Sequence, residues 1–271
     1  MKNQFADLHI HSSLSDGFLT PHEIVSEASK KKLSCIAVTD HDCVDAIPIL
    51  LQNNYSLEIV PAVELTSQLD DTEIHILGYF IDYREENLLR KLKELCQARR
   101  DRIIKMIDKL KSFGVNIEYE EVLKDKQVGS VGRLHLAQVL WERGYVKSVP
   151  EAFYKYIGKH APCYVQRYHL LPEEAIKLIK EANGVPVLAH PHKINNDEII
   201  AELIQEGISG IEVYHPDHTG SVTEHYLLLA KKYSILVTGG SDCHGIEGKK
   251  ELGSIKIPYE WVEEMKERIK K

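Results

Sequence analysis

Short apolar runs that end in histidine or carboxylate residues recur along this chain, and they constrain its fold more than any other feature. One run ends in His9-Ile10-His11, and alternate residues of a strand face the same side of a sheet. Four further runs end in the same manner, at 40–42, 64, 190 and 242–244. One such ending would mean little, but five predict a ring of strands that direct nitrogen and oxygen ligands towards one point.

The apolar runs alternate with helical patterns in the first eighty residues and again after residue 172. Thr20-Pro21, with Glu23 three residues after the cap, predicts one helix start. This alternation favours parallel strands in an α/β fold, and seven or eight strands is a barrel count. In such barrels functional residues lie at the carboxyl ends of the strands. The predicted strands are 5–11, 34–39, 57–63, 73–80, 185–190, 209–214, 234–239 and 252–257.

Residues 84–171 have a different character. Leucine and isoleucine residues follow helical spacing from Leu88 to Leu110, and Gly114 is placed to end that helix. Shorter helices are predicted around 119–125, 133–143 and 148–157. We therefore expect a barrel formed by 1–83 and 172–271, with 84–171 as a helical insertion that caps the active site.

Composition excludes some classes of function. The net charge of −7 argues against a broad basic surface for long duplex nucleic acid. Five cysteines without paired spacing favour free thiols in a reducing cytoplasm. The N-terminus carries no signal-peptide pattern, and no apolar run approaches the ~20 residues of a membrane helix, so we expect a cytoplasmic protein without membrane contact.

The segments around four of the five endings resemble the motifs of the PHP (polymerase and histidinol phosphatase) superfamily. The matching segments are 7–17, 39–42, 188–191 and 240–245. The resemblance implies a distorted seven-stranded (β/α) barrel of metal-dependent phosphoesterases. Segments 64–66, 73–79, 132–137 and 210–214 are similar to the group of exoribonucleases and nucleoside 3′,5′-bisphosphate phosphatases. Leu134 departs from that group, which commonly has proline there.

The resemblance also implies a ligand set for two or three divalent metal ions. His9, His11, Glu64 and Asp242 would hold one ion. Glu64 would bridge to a second ion held with His75 and His190, and Asp16, His41 and His244 would hold the third. Asp40 would orient a ligand imidazole from behind. Manganese is favoured, while iron and zinc also suit nitrogen and oxygen ligands.

The substrate contacts are predicted more loosely. Arg133 is the leading phosphate ligand, because a guanidinium binds phosphate bidentately, and His135 lies two residues further on. For Arg99, Arg100 and Arg102 a solvated helix face is the favoured interpretation. The remaining candidates for substrate contact are Lys193, Glu212, His215 and His218. The general acid is either a metal-bound water or one of the last two histidines.

The predicted function is hydrolysis of nucleoside 3′,5′-bisphosphates, with release of the 3′-phosphate, or of short oligoribonucleotides from the 5′ end, by a metal-activated hydroxide. The expected partner is thus a small phosphorylated substrate, and no phosphoenzyme is required. Histidinol-phosphate phosphatase is the alternative within the same fold. A metal-binding structural module without catalysis is the alternative from another class. An amidohydrolase is disfavoured, because Glu64 occupies the bridging position in place of a lysine.

Overall fold

The computed structural model describes residues 4–123, 130–166, 168, 170–245 and 250–269. Its strands form one sheet with the order β7-β6-β5-β4-β3-β2-β1-β8. The strands are β1 Phe5–Ile10, β2 Cys35–Val38, β3 Glu58–Leu69, β4 Thr72–Tyr79, β5 Val185–Leu188, β6 Gly210–Tyr214, β7 Leu236–Gly239 and β8 Ile257–Pro258. The backbone N–H of His11 donates to the Cys243 carbonyl at 2.9 Å, which joins the chain beyond β7 to β1 and nearly closes a barrel.

The predicted α/β barrel is therefore confirmed, with two corrections. The sheet has eight strands in the described residues, one more than the seven that the resemblance implied, and the last of them, predicted at 252–257, is only the two residues of β8. β4 runs antiparallel to both β3 and β5, whereas the sequence pattern predicted parallel strands throughout. Only Asp70 and Asp71 separate β3 from β4, and so short a connection forms a hairpin and leaves no room for a helical crossover.

Helices cover the outside of the barrel, and the first of them begins where the capping pattern predicted. α1 begins after Thr20, whose side chain accepts from the Glu23 backbone while Glu23 bonds back to Thr20, the predicted capping box. Tyr79 fills the barrel interior and donates to the Leu8 carbonyl at 2.9 Å. The helices of the barrel are α1 Pro21–Lys30, α2 Ala46–Leu51, α7 Pro172–Glu181, α8 Asp197–Glu206, α9 Gly220–Tyr233 and α10 Tyr259–Ile269.

The helical segment between β4 and β5 begins with a helix of 26 residues. Its helices are α3 Glu86–Lys111, α4 Tyr119–Leu123, α5 Arg133–Glu142 and α6 Val149–Ala152, which continues as a π-helical turn, Phe153–Ile157. The end of the helix predicted at 119–125 lies outside the described residues. Leu88 and Leu95 in the first half of α3 pack into the barrel core, whereas Met106 and Leu110 belong to a separate apolar cluster with α5. One continuous helix thus joins the two apolar clusters.

Among the described residues, no helix combines the length and the apolar character that a membrane span requires.

Candidate active site

Glu64 lies at the centre of a buried cluster at the mouth of the barrel. Its carboxylate is almost completely buried, at 1% exposure, although a lone charge in such a place is costly. Imidazole nitrogens surround it on both sides. Oε2 lies 3.3 Å from His9 Nε2, 3.2 Å from His11 Nε2 and 3.2 Å from His41 Nδ1, and Oε1 lies 2.8 Å from His75 Nδ1 and 3.1 Å from His190 Nε2.

Two further carboxylates complete the cluster. Asp242 Oδ1 lies 3.5 Å from His9 Nε2 and 3.3 Å from His11 Nε2. Asp16 lies 3.5 Å from His244 Nε2 and 3.7 Å from His41 Nε2. All nine residues that the resemblance implied as metal ligands thus lie together at one end of the barrel.

The local backbone explains these positions. His9 and His11 project from the same face at the end of β1, as alternation requires. His75 lies within β4, away from a carboxyl end, yet the antiparallel direction of β4 brings its early residues to the barrel mouth, where His75 pairs with Thr66. Gly240 permits the chain after β7 to approach β1, because a Cβ there would lie 2.4 Å from the Cβ of His9.

The donor set fits divalent metal ions. Both ring nitrogens of His11 and Nδ1 of His41 are buried without a hydrogen-bond partner in the described part of the chain. Buried polar atoms are normally satisfied, so orphaned imidazole nitrogens beside carboxylates indicate the place of a cation. Six imidazoles and three carboxylates suit manganese, iron or zinc, and they exceed what a single ion can take.

Protonation divides the imidazoles of the metal-free cluster into two groups. Burial alone lowers the pKa of His9 and His11, but nearby carboxylates overcome it, so the pKa of His9 rises well above its ordinary value and that of His11 rises to about 10. Burial dominates at His41 and His190, whose pKa values fall to about 3. Nearby carboxylates also raise the pKa of His75 despite its burial, so the protonated histidines are found on both sides of Glu64, among the neutral His41 and His190.

Further carboxylates orient the ligand imidazoles. Glu212 Oε1 lies 2.9 Å from His9 Nδ1, and Oε2 accepts the backbone N–H of His190 at 2.7 Å. Glu73 Oε1 lies 3.0 Å from His75 Nε2. A carboxylate behind a ligand histidine fixes its tautomer and ring orientation. We predicted Glu212 as a substrate contact, but its completely buried carboxylate is occupied by these two histidines.

Asp40 was predicted to orient an imidazole, and its hydrogen bonds go elsewhere. Its oxygens accept from the Ser12 backbone N–H at 2.7 Å, the Ser12 hydroxyl at 2.6 Å and the Ser15 hydroxyl at 2.6 Å. These bonds order the loop that carries Asp16. Asp40 therefore supports the site through the position of Asp16.

A cavity separates the cluster from the helical segment, and its two walls differ in charge. The barrel wall includes Asp16, His41 and His75. The opposite wall consists of side chains from α3, α5, the residues just before α5 and the π-helical turn, namely Arg99, Arg102, Ile103, Val131, Arg133, Leu134 and Phe153. The helical segment thus closes one side of the cavity over the metal-ligand cluster.

Two arginines in this wall were expected on a solvated face, and that interpretation is wrong for both. Arg102 is 9% exposed and donates from Nε to the Val165 carbonyl at 2.8 Å. Arg99 pairs with the buried Asp42 carboxylate and donates to Thr66 Oγ1 at 3.1 Å. Arg100 is exposed, as expected. Helical spacing alone did not reveal that α3 crosses the barrel mouth.

Arg102 and Arg133 lie close enough for their positive charges to repel each other. Burial lowers the pKa of Arg102 to about 10, and the positive charge of Arg133 contributes to that shift. Both guanidinium groups lie over the Tyr164 ring, and Arg133 also lies over Phe153. In the described part of the chain neither arginine forms an ion pair. Two neighbouring cations in a partly buried wall favour an anion between them.

The other predicted substrate contacts are dispersed. His135 is buried, and its Nδ1 accepts the Gly132 backbone N–H at 3.0 Å, within the cap of α5. His215 Nε2 lies 3.3 Å from Asp242 Oδ2. His218 donates from Nδ1 to the Val213 carbonyl at 2.7 Å, which leaves Nε2 to accept from His192 Nδ1 at 2.8 Å. Lys193 is exposed.

Comparison with known proteins agrees with this geometry. The model of the PHP domain matches residues 7–182, which is more than half of the chain. The chain belongs to the PHP domain family. A solved structure from Bifidobacterium adolescentis, described as a metal-dependent phosphoesterase, has a TM-score of 0.89 and 28% identity, covering 98% of this chain and 96% of that one. This PHP protein is accordingly a metal-dependent phosphoesterase.

Three curated relatives of this PHP protein carry different substrate names. The 3′,5′-nucleoside bisphosphate phosphatase of Chromobacterium violaceum is 28% identical, over 91% of this chain and 90% of its own length. The 5′-3′ exoribonuclease Rnm of Escherichia coli is 28% identical, over 88% and 84%. The phosphoribosyl 1,2-cyclic phosphate 1,2-diphosphodiesterase of Eggerthella lenta is 25% identical, over 93% and 98%. These names agree on a phosphate ester and differ in the molecule that carries it.

Proposed function

We propose that this protein releases phosphate from small nucleotides that carry two phosphate groups, with nucleoside 3′,5′-bisphosphates as the leading substrate. The observation that carries the proposal is the cavity with a metal-ligand cluster on one side and arginines on the other. A substrate with one phosphate at the cluster and a second near Arg102 and Arg133 would satisfy both walls. The 28% identity to a 3′,5′-nucleoside bisphosphate phosphatase supports this choice.

We further propose that the nine clustered residues hold two or three divalent ions. When bound, such ions lower the pKa of a water molecule to about 7 and neutralise phosphate oxygens. Glu64 can contact two ions, because its two oxygens face different sets of histidines. Glu212 and Glu73 keep the rings of His9 and His75 in a ligating orientation. Manganese remains the favoured ion.

The cysteines near the cluster support direct hydrolysis. A covalent route needs a thiolate or another activated nucleophile. Burial raises the pKa of the Cys43 and Cys243 thiols above the ordinary value, so both stay protonated at neutral pH. Ser12 and Ser15, in the loop after β1, are tied to Asp40 by hydrogen bonds. We therefore propose attack by water, without a phosphoenzyme.

The helical segment 84–171 acts, in this proposal, as the cap that selects the substrate. Arg133 begins α5 beside Gly132, and Arg102 approaches it from α3. Histidinol phosphate carries an ammonium group, which a wall of arginines would repel. Charge therefore favours the nucleotide over the amino-alcohol alternative. A short oligoribonucleotide with a 5′-phosphate also presents two phosphates and remains the second candidate, supported by the identity to the exoribonuclease.

A substrate panel tests the proposal. Phosphate or nucleotide release is measured with manganese for a nucleoside 3′,5′-bisphosphate, the matching 3′- and 5′-monophosphates, a 5′-phosphorylated trinucleotide, a phosphoribosyl 1,2-cyclic phosphate and histidinol phosphate. We expect the bisphosphate or the trinucleotide to have the highest kcat/KM, at least about tenfold above the monophosphates, because one additional charge-assisted contact contributes about 1.5–3 kcal/mol. Preference for histidinol phosphate would refute the proposal, and preference for the cyclic ester would reassign the substrate.

A further inference from the structure

We propose that Lys250 is a positioning residue for Asp242, which it holds so that a single carboxylate oxygen faces the metal-ligand cluster. The inference rests on the metal-ligand assignment of the proposed function. Lys250 Nζ lies 2.6 Å from Asp242 Oδ2. The other oxygen, Oδ1, lies 3.3 Å from His11 Nε2 and 3.5 Å from His9 Nε2. The two oxygens of Asp242 thus have separate partners, a cation on one side and the cluster on the other.

His215 strengthens this division. Its Nδ1 accepts the backbone N–H of Asp217 at 3.1 Å, so in the neutral ring the proton is on Nε2. That nitrogen lies 3.3 Å from Asp242 Oδ2 and 3.4 Å from Lys250 Nζ, and because an ammonium group cannot accept, its proton goes to the carboxylate. Oδ2 therefore accepts hydrogen bonds from both His215 and Lys250, and these bonds occupy the lone pairs that a metal ion would need. This arrangement also gives the buried His215 a role in orienting Asp242.

The charge on Lys250 is secured by a second carboxylate. Asp217 Oδ2 lies 2.9 Å from Lys250 Nζ. The ammonium group of Lys250 therefore lies between two carboxylates, one of which is a proposed metal ligand. A bound divalent ion at Oδ1 would be repelled by this cation, so Lys250 weakens metal binding while it keeps Asp242 monodentate.

The segment that carries Lys250 is fixed to the barrel. Leu252 is buried at 3% exposure, and the Gly253 backbone N–H donates to Asp7 Oδ2 at 2.8 Å. Asp7 lies in β1, two residues before His9, and its Oδ1 accepts the Ser241 backbone N–H at 2.9 Å. The same carboxylate therefore fixes the segment of Lys250 and the segment of Asp242 relative to each other.

Manganese binding to the full chain with Lys250→Met tests the inference. Metal-stripped protein is titrated with Mn²⁺ alone by calorimetry. We expect the tightest Kd to decrease by about tenfold, because a positive charge near the ion is removed and both oxygens of Asp242 become available. The metal-free variant should melt at a lower temperature than wild type, since two carboxylates lose their cation, and it should gain more from added manganese.

Two variants serve as controls. Lys256→Met makes the same change in charge on the same segment, but Lys256 is exposed and donates to the Lys31 carbonyl at 3.0 Å, so its Kd should match wild type. Lys250→Arg keeps the positive charge and should restore a Kd close to wild type.

The sign of the change decides between two roles for Lys250. Weaker manganese binding in Lys250→Met would overturn the inference, because it would mean that the lysine merely supports the fold around Asp242. An unchanged Kd would overturn it as well. Phosphate release by wild type in the same preparations keeps the two proposals apart: wild type that binds manganese but hydrolyses no bisphosphate refutes the proposed function and leaves the Kd comparison for Lys250 valid.

Discussion

The two walls of the cavity are built on different principles. The barrel wall contains imidazoles and carboxylates from the ends of strands. Within this cluster the single carboxylate of Glu64 contacts five histidines. The opposite wall collects guanidinium groups on helices, with Arg102 and Arg133 over a shared tyrosine ring. In the proposed function, the carboxylates and imidazoles of one wall would hold metal ions, and the guanidinium groups of the other would attract anions. A phosphorylated substrate between the walls would then meet positive charge on both sides.

The two walls are expected to have different tasks. The barrel wall is buried and held by the backbone ladder of the sheet, so it can fix the ions to a fraction of an ångström. The helical wall reaches the cavity with long side chains, and in the proposed function it would determine which molecule fits. Substitutions in the barrel wall should abolish hydrolysis of every substrate, whereas substitutions in the helical wall should change substrate affinity and substrate preference.

The largest effect is expected for Glu64→Gln on the barrel wall. Loss of the charge that serves both sets of histidines should reduce the manganese content and lower phosphate release by roughly 1,000-fold or more, since metal ions supply several kcal/mol to the transition state. Metal analysis and phosphate assays with every substrate of the panel measure this. Glu263→Gln, an exposed carboxylate, is the matched control and should behave as wild type. A Glu64→Gln protein with full metal content and a normal rate would contradict the assignment of the barrel wall.

A smaller and more selective effect is expected for Arg102→Met on the helical wall. KM for the bisphosphate should rise about 10- to 100-fold, because one charge-assisted contact contributes about 1.5–3 kcal/mol. Manganese binding and turnover of p-nitrophenyl phosphate should change little. Arg100→Met, on the exposed face of the same helix, removes an equal charge and is the control. Equal losses with both substrates would mean that Arg102 acts on the metal wall or on the fold.

The two walls also differ in how far the sequence could predict them. The metal ligands follow apolar runs, so strand alternation and short motifs locate His9, His11 and His41 without a structure. The direction of β4 could not be inferred from the alternation of strands and helices. It depends on the two-residue turn at Asp70 and Asp71, which is typical of a hairpin. The regular alternation of strands and helices elsewhere favoured a parallel strand at this position instead. His75 consequently fitted the cluster although it lay inside its strand.

The helical wall was predicted poorly because its geometry is tertiary. Arg99, Arg100 and Arg102 share one charged stretch, and helical periodicity does not state which neighbour α3 meets. The apolar residues around Leu95 pack on the barrel and those around Met106 pack on α5, so the arginines between them lie where the helix crosses the mouth. Glu212 was misjudged for the same reason, since only packing brings His9 and His190 to its carboxylate.

The smallest effect is expected for the pH dependence of manganese affinity, which reports on the protons that the barrel wall releases when a metal ion binds. In the metal-free protein burial lowers the pKa of His11, but Asp242 and Glu64 raise it to about 10, so the ring is protonated at pH 7.5. An ion that takes this ring must displace its proton, and affinity should rise up to about tenfold per pH unit for each proton released. Calorimetry with manganese in buffers of different ionisation enthalpy counts the protons between pH 6.5 and 9.

The stability of the metal-free protein should follow the opposite trend. A raised folded-state pKa contributes stability that is fully present below the unfolded value of 6.5 and is lost as the pH rises through about 10. The metal-free protein should therefore melt at a lower temperature at pH 9 than at pH 6.5, while manganese binds more tightly. Arg102→Met is the control from the other wall and should release the same number of protons as wild type. If wild type released no protons on binding manganese, the carboxylates would not hold His11 in its charged form. The three carboxylates of the barrel wall would then raise the pKa of His11 less than their positions suggest.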